Sequence, residues 1–313
     1  MTTAFVFPGQ GSQTVGMGKA LADAYPAAQA VFDEVDEALG EKLSAIIWEG
    51  PEDKLTLTEN AQPALMAVSM AVVRALSAEG VEVASAASYV AGHSLGEYSA
   101  LAAAGAIGLA DTARLLRTRG KAMQAAVPVG EGAMAALLGL DYDAAVAVAE
   151  EAAAGDVCQA ANDNAAGQVV VSGTKAAVER ACGIATEKGA MKAVMLPVSA
   201  PFHCALMAPA ADIMRDALAA TDIRTPSVPV VSNVAASAVT DPEEIRRRLV
   251  EQVTGTVRWR ESVLWMAGQG VTELREIGAG RVLSGLTRRI DRSVKSSAIG
   301  GPEDIAAFVA ERS

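Results

Sequence analysis

GHSLGEY occupies residues 92–98, between an apolar stretch at 86–91 and an Ala- and Leu-rich stretch at 95–104. The first stretch predicts a β-strand and the second predicts a helix. A Gly-x-Ser-x-Gly run in this position is typical of the sharp strand-to-helix turn that presents a serine hydroxyl as a nucleophile. The two glycines leave room for the turn. The first amides of the helix have no intrahelical partners, so we expect them to face Ser94 and any negative charge that develops beside it.

Predicted strands and helices alternate on both sides of this turn. Apolar periodicity predicts further strands at 4–7, 228–232, 271–276 and 296–299. Helices are expected between the later strands and, earlier in the chain, at 15–24, 25–39, 61–78 and 111–124. This alternation predicts an α/β fold whose large domain is α/β-hydrolase-like and contains a parallel sheet.

A turn-rich break at 128–132 changes the pattern. Beyond it we expect strands and helices in the order β-α-β-β-α-β, at 133–140, 141–153, 157–161, 168–172, 174–188 and 191–198, with a turn at 162–167. That order is the ferredoxin-like signature. The sequence therefore predicts a small inserted ferredoxin-like domain at 128–197 and a large domain formed by 1–127 and 198–313.

The chain has 313 residues, 51% of them hydrophobic, and a formal net charge of −11. The negative charge argues against nucleic-acid binding, because neutralising phosphates needs a basic surface. We find no apolar stretch of about 18 residues and no basic flank beside the short N-terminal apolar run, so we expect neither a membrane span nor a signal peptide. The three cysteines, Cys158, Cys182 and Cys204, show no metal or redox spacing. They indicate reduced thiols in a cytoplasmic protein and no bound metal.

The chain has two histidines, His93 and His203, as candidates for a base that acts near neutral pH. His203 lies in a loop directly after the predicted small domain, where a side chain can face a cleft between domains. A structural role in capping the next helix is the alternative. We favour His203 as the base. His93 adjoins Ser94, but neighbouring side chains on a sharp turn diverge, so a packing and hydrogen-bonding role is expected for His93.

A second glycine-rich stretch, FPGQGSQ at 7–13, follows the first predicted strand. It matches neither a P-loop nor a dinucleotide-binding fingerprint, because no Gly-Lys-Ser/Thr follows and the Gly-x-Gly-x-x-Gly spacing is incomplete. The exposed amides of such a loop can supply an oxyanion-hole donor. A simple β-α turn is an equal alternative.

Five motifs, in family order, are similar to those of the malonyl-CoA:acyl carrier protein transacylase family. They are FPGQGSQ at 7–13, GHSLGEY at 92–98, RGKAMQ at 119–124, PFHCALM at 201–207 and EIGAGRVLSGL at 276–286. Together they extend over nearly the whole chain and resemble the stand-alone bacterial members that serve type II fatty acid synthesis. The resemblance implies a ping-pong acyltransferase that passes a malonyl group from malonyl-CoA to an acyl carrier protein through a serine ester.

The resemblance also implies a role for each matching residue. Ser94 would accept the acyl group, and His203 would act first as the base and then as the acid. The backbone carbonyl of Gln252, rather than a carboxylate, would orient His203. The amides of Gln10 and Leu95 would form the oxyanion hole.

Arg119 would pair with the free carboxylate of the malonyl group, because a guanidinium binds a carboxylate through two parallel hydrogen bonds. Its neighbours Arg114 and Arg117 are expected to be surface charges. No tightly bound cofactor is implied, since the phosphopantetheine thiol arrives on the carrier protein. Arg288 and Arg289 are the candidate docking pair for that protein, and a solvated helix face is the alternative.

Three other functions stay open from the sequence. A trans-acting acyltransferase of a polyketide synthase would use the same chemistry. A serine esterase of the α/β-hydrolase type predicts an Asp or Glu between Ser94 and His203 in chain order, as a third triad member. A non-catalytic scaffold that binds carrier proteins gives no reason for a serine and a histidine at such loops.

Overall fold

The protein is described from a computed structural model that covers residues 2–312. Met1 and Ser313, the outer ends of the predicted large domain, lie outside the described residues. The strands are β1 (Thr3–Phe7), β2 (Tyr89–Gly92), β3 (Gly132–Leu138), β4 (Cys158–Ala165), β5 (Gln168–Thr174), β6 (Lys192–Met195), β7 (Val230–Val231), β8 (Ala238–Val239), β9 (Glu273–Ile277) and β10 (Lys295–Ile299).

The described residues also form fifteen α-helices and a short 3₁₀ helix at Ala205–Met207. They are α1 (Lys19–Ala24), α2 (Pro26–Leu39), α3 (Leu43–Glu49), α4 (Glu52–Thr56), α5 (Thr58–Ala78), α6 (Val83–Ala86), α7 (Leu95–Ala103), α8 (Leu109–Ala125), α9 (Tyr142–Ala153), α10 (Lys175–Glu187), α11 (Ala208–Ala219), α12 (Pro242–Thr254), α13 (Trp259–Gly268), α14 (Val282–Ile290) and α15 (Pro302–Ala310).

The larger sheet has six strands in the order β10-β9-β1-β2-β7-β8. Neighbouring strands run parallel from β10 to β7, and β8 pairs antiparallel with β7 at one edge. Every residue of β1 is buried, as expected for a central strand covered by helices on both faces. The predicted α/β fold with a parallel sheet is confirmed.

The order of this sheet explains where a ligand can bind. From β1 the chain adds β2 on one side and later β9 on the other, so the direction of winding reverses at β1. Phe7 at the end of β1 pairs with Gly92 at the end of β2. The loop after β1 and the turn at Ser94 therefore lie side by side at the carboxyl ends of these two strands. In open α/β sheets, a crevice forms at such a reversal, outside the carboxyl ends of the strands.

Residues 132–195 form a second, four-stranded antiparallel sheet in the order β4-β5-β3-β6. With α9 and α10 the element order is β-α-β-β-α-β, and these elements enclose an apolar core of their own. This sheet touches the larger unit through β4, where Asp163 donates a backbone hydrogen bond to Val257 (2.9 Å). The exact domain limits at 128 and 198 stay a prediction.

Several predicted elements differ in extent from the structure, among them the strand expected at 86–91, which begins only at Tyr89 because Ala86 ends α6. The turn expected at 162–167 is wrong, because β4 continues to Ala165 and the turn is confined to the two residues before β5. The helix expected at 15–24 begins only at Lys19, since Gly16 and Gly18 adopt positive φ. The strand expected at 191–198 is shorter, at Lys192–Met195.

α5 (Thr58–Ala78) is apolar and long enough to cross a membrane, which the sequence analysis did not anticipate. In the folded chain, 83% of its apolar window is buried inside the protein. α5 packs against α2, α7 and α8. Its apolar surface is therefore accounted for by the protein core.

Candidate active site

Ser94 stands at a strained turn between β2 and α7. Its backbone has φ 54° and ψ −110°, a conformation that costs about 1–3 kcal/mol for a residue with a Cβ. A Cβ on Gly92 would lie 1.9 Å from the carbonyl carbon of Gly96, and a Cβ on Gly96 would lie 2.2 Å from the carbonyl oxygen of Phe7. Only glycine fits at both positions, so the spacing in the sequence directly specifies this turn.

Asn233, which the sequence analysis missed, fixes the turn from the neighbouring strand. Its Oδ1 accepts a hydrogen bond from the Ser94 amide (2.7 Å), and its Nδ2 donates to the carbonyl of Gly92 (2.6 Å). Asn233 follows β7, which runs parallel to β2, so Asn233 lies beside Ser94 at the carboxyl ends of the two strands. A buried polar residue directly after an apolar strand was the one available signal.

Ser94 and His203 are in direct contact. Ser94 Oγ lies 2.8 Å from His203 Nε2, and His203 Nδ1 lies 2.8 Å from the backbone carbonyl of Gln252. A carbonyl can only accept, so Nδ1 carries the proton and Nε2 is left to accept from the serine hydroxyl. Burial, and in second place the charge of Arg119, lower the pKa of His203 to about 3. The imidazole is therefore neutral at physiological pH.

Arg119 reaches the same serine from α8. The side chain is 1% exposed, and its Nη2 donates to Ser94 Oγ (3.1 Å) and to Gln252 Oε1 (2.8 Å), while Nη1 donates to Gln62 Oε1 (2.8 Å). Its Nε has no partner within residues 2–312. Because amides rather than carboxylates hold the guanidinium, Arg119 is a buried cation without a directly bound counter-ion among the described residues.

The two arginines that precede Arg119 on the helix differ from each other. Arg114 is exposed and pairs with Asp111, as expected for a surface charge. For Arg117 the surface prediction is wrong, because its guanidinium is largely buried and donates to the carbonyl of Glu59 (2.7 Å). It also contacts Asn60 and Glu41. Arg117 therefore ties α8 to the start of α5.

Gln10 and Leu95 lie beside Ser94 at the wall of a cavity of about 530 Å³. Neither backbone amide donates to an acceptor within residues 2–312. The Gln10 side chain is held by Thr58, whose Oγ1 donates to Gln10 Oε1 (2.9 Å). Both amides are thus free to receive an oxyanion, and that role stays a prediction.

His93 points away from Ser94 toward the smaller sheet. Its Nε2 lies 2.8 Å from Asn164 Oδ1, and its ring packs at 5.8 Å from Trp259. Burial lowers the pKa of His93. Asn162 and Asn164 both reach the cavity from β4, at two register irregularities of the kind that re-aim side chains. Both asparagines lie in the stretch where the sequence predicted a turn, so neither was assigned a role.

Glu97 is a second residue that the sequence analysis missed. It is 2% exposed on α7, and its Oε2 accepts from Gln252 Nε2 (2.7 Å) and from the amide of Asn233 (3.2 Å). A lone acidic residue in an otherwise apolar, Ala-rich helix was the available signal. Gln252 therefore serves the site twice, since its carbonyl holds His203 and its side chain links Glu97 to Arg119.

Arg288 and Arg289 are not part of this cavity. Both are exposed on α14, and Arg289 Nη1 donates to Gln168 Oε1 (2.9 Å). Arg288 borders a separate surface depression together with Arg275 and Arg281. Within the described part of the chain, His, Cys, Asp and Glu form no group of three that could hold a metal ion.

The chain is similar to known proteins over nearly its whole length. Residues 4–294 match the acyl transferase domain family. The malonyl CoA-acyl carrier protein transacylase of Escherichia coli strain K12 is 50% identical over 305 residues, with 97% of each chain covered. The crystal structure of acyl-carrier-protein-S-malonyltransferase from Bartonella henselae is 56% identical with a TM-score of 0.97, and the match covers 99% of each chain.

A third relative was solved with a partner. It is a malonyl-transacylase in complex with a type II PKS acyl-carrier protein, 43% identical with a TM-score of 0.96, and the match covers 99% of this chain and 100% of that chain. The family expected from the five motifs is confirmed by these matches. The chain belongs to the acyl transferase domain family and, within it, to the malonyl CoA-acyl carrier protein transacylases.

Proposed function

We propose that the protein transfers the malonyl group of malonyl-CoA to the phosphopantetheine thiol of an acyl carrier protein, through a malonyl ester on Ser94. One observation carries this proposal. Ser94 Oγ contacts both a neutral histidine nitrogen and a buried guanidinium, at 2.8 Å and 3.1 Å. An acyl group on that oxygen is therefore attached beside a cation that residues 2–312 leave without a directly bound counter-ion, which suits an acyl chain that ends in a carboxylate.

In the first half-reaction, His203 Nε2 takes the proton of Ser94 as Oγ attacks the thioester carbonyl. The negative charge that develops on the carbonyl oxygen is stabilised by the free amides of Gln10 and Leu95. Collapse of this intermediate breaks the C–S bond. The CoA thiolate leaves with the proton that His203 had taken.

The second half-reaction runs the same steps in reverse order. The phosphopantetheine thiol gives its proton to His203, and its sulfur attacks the ester carbonyl. The C–O bond breaks, and Ser94 Oγ recovers the proton from His203. The carbonyl of Gln252 holds the imidazole ring in the same tautomer in both halves.

The esterase alternative is the weaker proposal, because His203 Nδ1 is bonded to a backbone carbonyl where an esterase triad needs a carboxylate. We propose fatty acid synthesis as the pathway that the enzyme supplies. A polyketide role would use the same residues. The reaction needs no tightly bound cofactor in this proposal, since Ser94, His203 and Arg119 supply the nucleophile, the base and the charge. We place the enzyme in the cytoplasm, where its sparse, unpaired cysteines would stay reduced.

Arg119→Ala tests the proposed substrate. We expect kcat/KM for malonyl-CoA to fall about 10²-fold or more, because removal of a buried charge partner costs roughly 3 kcal/mol or more. Transfer from acetyl-CoA should be spared or improved, since acetyl brings no charge to the site. The measurement compares both acyl donors with the variant and with Arg114→Ala, an exposed arginine on the same helix. Equal losses for both donors in a folded variant would make Arg119 a structural residue.

Arg288 and Arg289 are proposed to dock the carrier protein. Both side chains are exposed on α14, and the local positive charge contrasts with the net charge of −11. Replacing both with Glu should raise KM for the carrier protein, and more so at low salt, while KM for malonyl-CoA stays the same. Arg215→Glu, which changes an exposed side chain of α11, is the control. An unchanged KM for the carrier protein would remove this pair from the interface.

A further inference from the structure

Glu97 is a buried titratable group that the proposed mechanism does not use. It lies one helical turn after Ser94, and its carboxyl is 2% exposed. Gln252 Nε2 and the Asn233 amide both donate to the same oxygen, Oε2. A proton on the other oxygen would leave both bonds intact. The neutral and the ionised form of this carboxyl can therefore both accept these two hydrogen bonds.

A single amide group connects Glu97 to the residue proposed to bind the acyl carboxylate. Gln252 Nε2 donates to Glu97, while Gln252 Oε1 accepts from Arg119 Nη2 (2.8 Å). Gln252 Nε2 also donates to the carbonyl of Ser94 (3.0 Å), which fixes the direction in which the amide points. A carboxylate bound at Arg119 would thus add a second negative charge near Glu97. Like charges at short range favour the protonated form of a carboxyl.

The other titratable groups around this site keep their charge near neutral pH. Burial raises the pKa of Tyr98 to about 12 and lowers the pKa of His203 to about 3, so both are neutral. Burial also lowers the pKa of His93, and Arg119 stays cationic. By contrast, burial raises the pKa of Glu97 to about 7, and its hydrogen bonds and the charge of Arg119 only partly oppose this. Among these five groups, Glu97 alone changes charge near pH 7.

We propose that Glu97 determines specificity by taking up a proton when an acyl group with a terminal carboxylate occupies Arg119, so that lower pH favours malonyl over acetyl. This inference rests on the proposed function, since it needs malonyl to be the group on Ser94. When Glu97 is neutral, it does not compete with the acyl carboxylate for the positive charge of Arg119. When Glu97 is ionised, its negative charge repels the acyl carboxylate and weakens the interaction of that carboxylate with Arg119. An acetyl group carries no charge, so its binding is unaffected.

The direct test counts protons during acylation of the wild-type enzyme. Malonyl-CoA or acetyl-CoA is added at pH 7 in buffers of different ionisation enthalpy, and the heat per ester formed gives the proton uptake. Both donors release the same CoA thiol, so its ionisation cancels. We expect malonylation to take up as much as about half a proton more than acetylation, because a group with a pKa of about 7 is half ionised at pH 7. Equal uptake with the two donors would overturn the proposal.

Glu97→Gln is the matched variant, because glutamine keeps an acceptor oxygen for Gln252 and Asn233 and does not titrate. In this variant the difference between the donors should vanish. A difference that persists would mean that another group takes up the proton, and it would contradict the proposal.

As a second measurement, the ratio of kcat/KM for malonyl-CoA over acetyl-CoA should fall about tenfold from pH 6 to pH 8.5 in the wild type. A flat wild-type ratio would also overturn the proposal.

This experiment separates the inference from the function on which it rests. Mass spectrometry of the same samples reports whether a malonyl ester forms on Ser94. Failure to form the ester would contradict the proposed function. A normal ester with no extra proton uptake would contradict only the role of Glu97.

Discussion

Ser94→Ala is expected to lower malonyl transfer by about 10⁴-fold or more without unfolding the protein. The substitution removes only the hydroxyl group, whose oxygen contacts His203 and Arg119 rather than the hydrophobic core. The strained backbone at φ 54° is imposed by its surroundings, so alanine should adopt it as serine does. Initial rates of malonyl transfer to the carrier protein, measured beside thermal unfolding, report both expectations.

The control is Ser85→Ala, which removes an exposed hydroxyl on α6 that donates to the carbonyl of Glu82, and it should leave turnover unchanged. Normal turnover by a folded Ser94→Ala protein would exclude the serine ester mechanism. If the variant lost both its activity and its folded state, Ser94 would be required for folding, contrary to the expectation stated above.

His203→Ala is expected to slow acylation of Ser94 by a factor on the order of 10² or more, because it removes the general base. Burst kinetics with malonyl-CoA measure this step separately from transfer to the carrier. In the wild type, a base whose pKa is lowered to about 3 stays neutral as the pH falls through 6.5. We therefore expect no loss of acylation from His203 between pH 7 and pH 5, whereas a base with the ordinary histidine pKa would lose most of its activity there.

His93→Ala provides the comparison for the base. His93 contacts Asn164 and Trp259 and not the serine hydroxyl, so its removal should have the smaller effect on the burst. Greater damage from His93→Ala than from His203→Ala would mean that the base had been assigned to the wrong histidine.

The turn at Ser94 was predictable because its cause is local. Gly92 and Gly96 have no space for a Cβ, and both glycines are visible in seven consecutive residues. The β-α-β-β-α-β order of the smaller sheet was predictable for a related reason, since apolar periodicity and turn residues act over short stretches.

The contacts that complete the site could not be predicted in the same way. Asn233 meets the Ser94 amide across 139 residues of chain, and Gln252 meets Glu97 across 155. Such pairs depend on strand order, which no local pattern encodes. The position of Arg119 beside Ser94 was implied by family resemblance alone. Arg117 was predicted to be a surface charge because charged side chains on a helix usually face solvent. Its guanidinium is instead buried against α5, a contact that the sequence of α8 alone does not reveal.

The most direct test of the account is mass spectrometry of the intact protein after brief exposure to malonyl-CoA, followed by addition of a carrier protein that bears phosphopantetheine. We expect one malonyl adduct per chain, located on Ser94 by peptide mapping, which disappears as the carrier gains the same mass. A stable protein without an adduct, or an adduct on another residue that the carrier discharges at the normal rate, would contradict it.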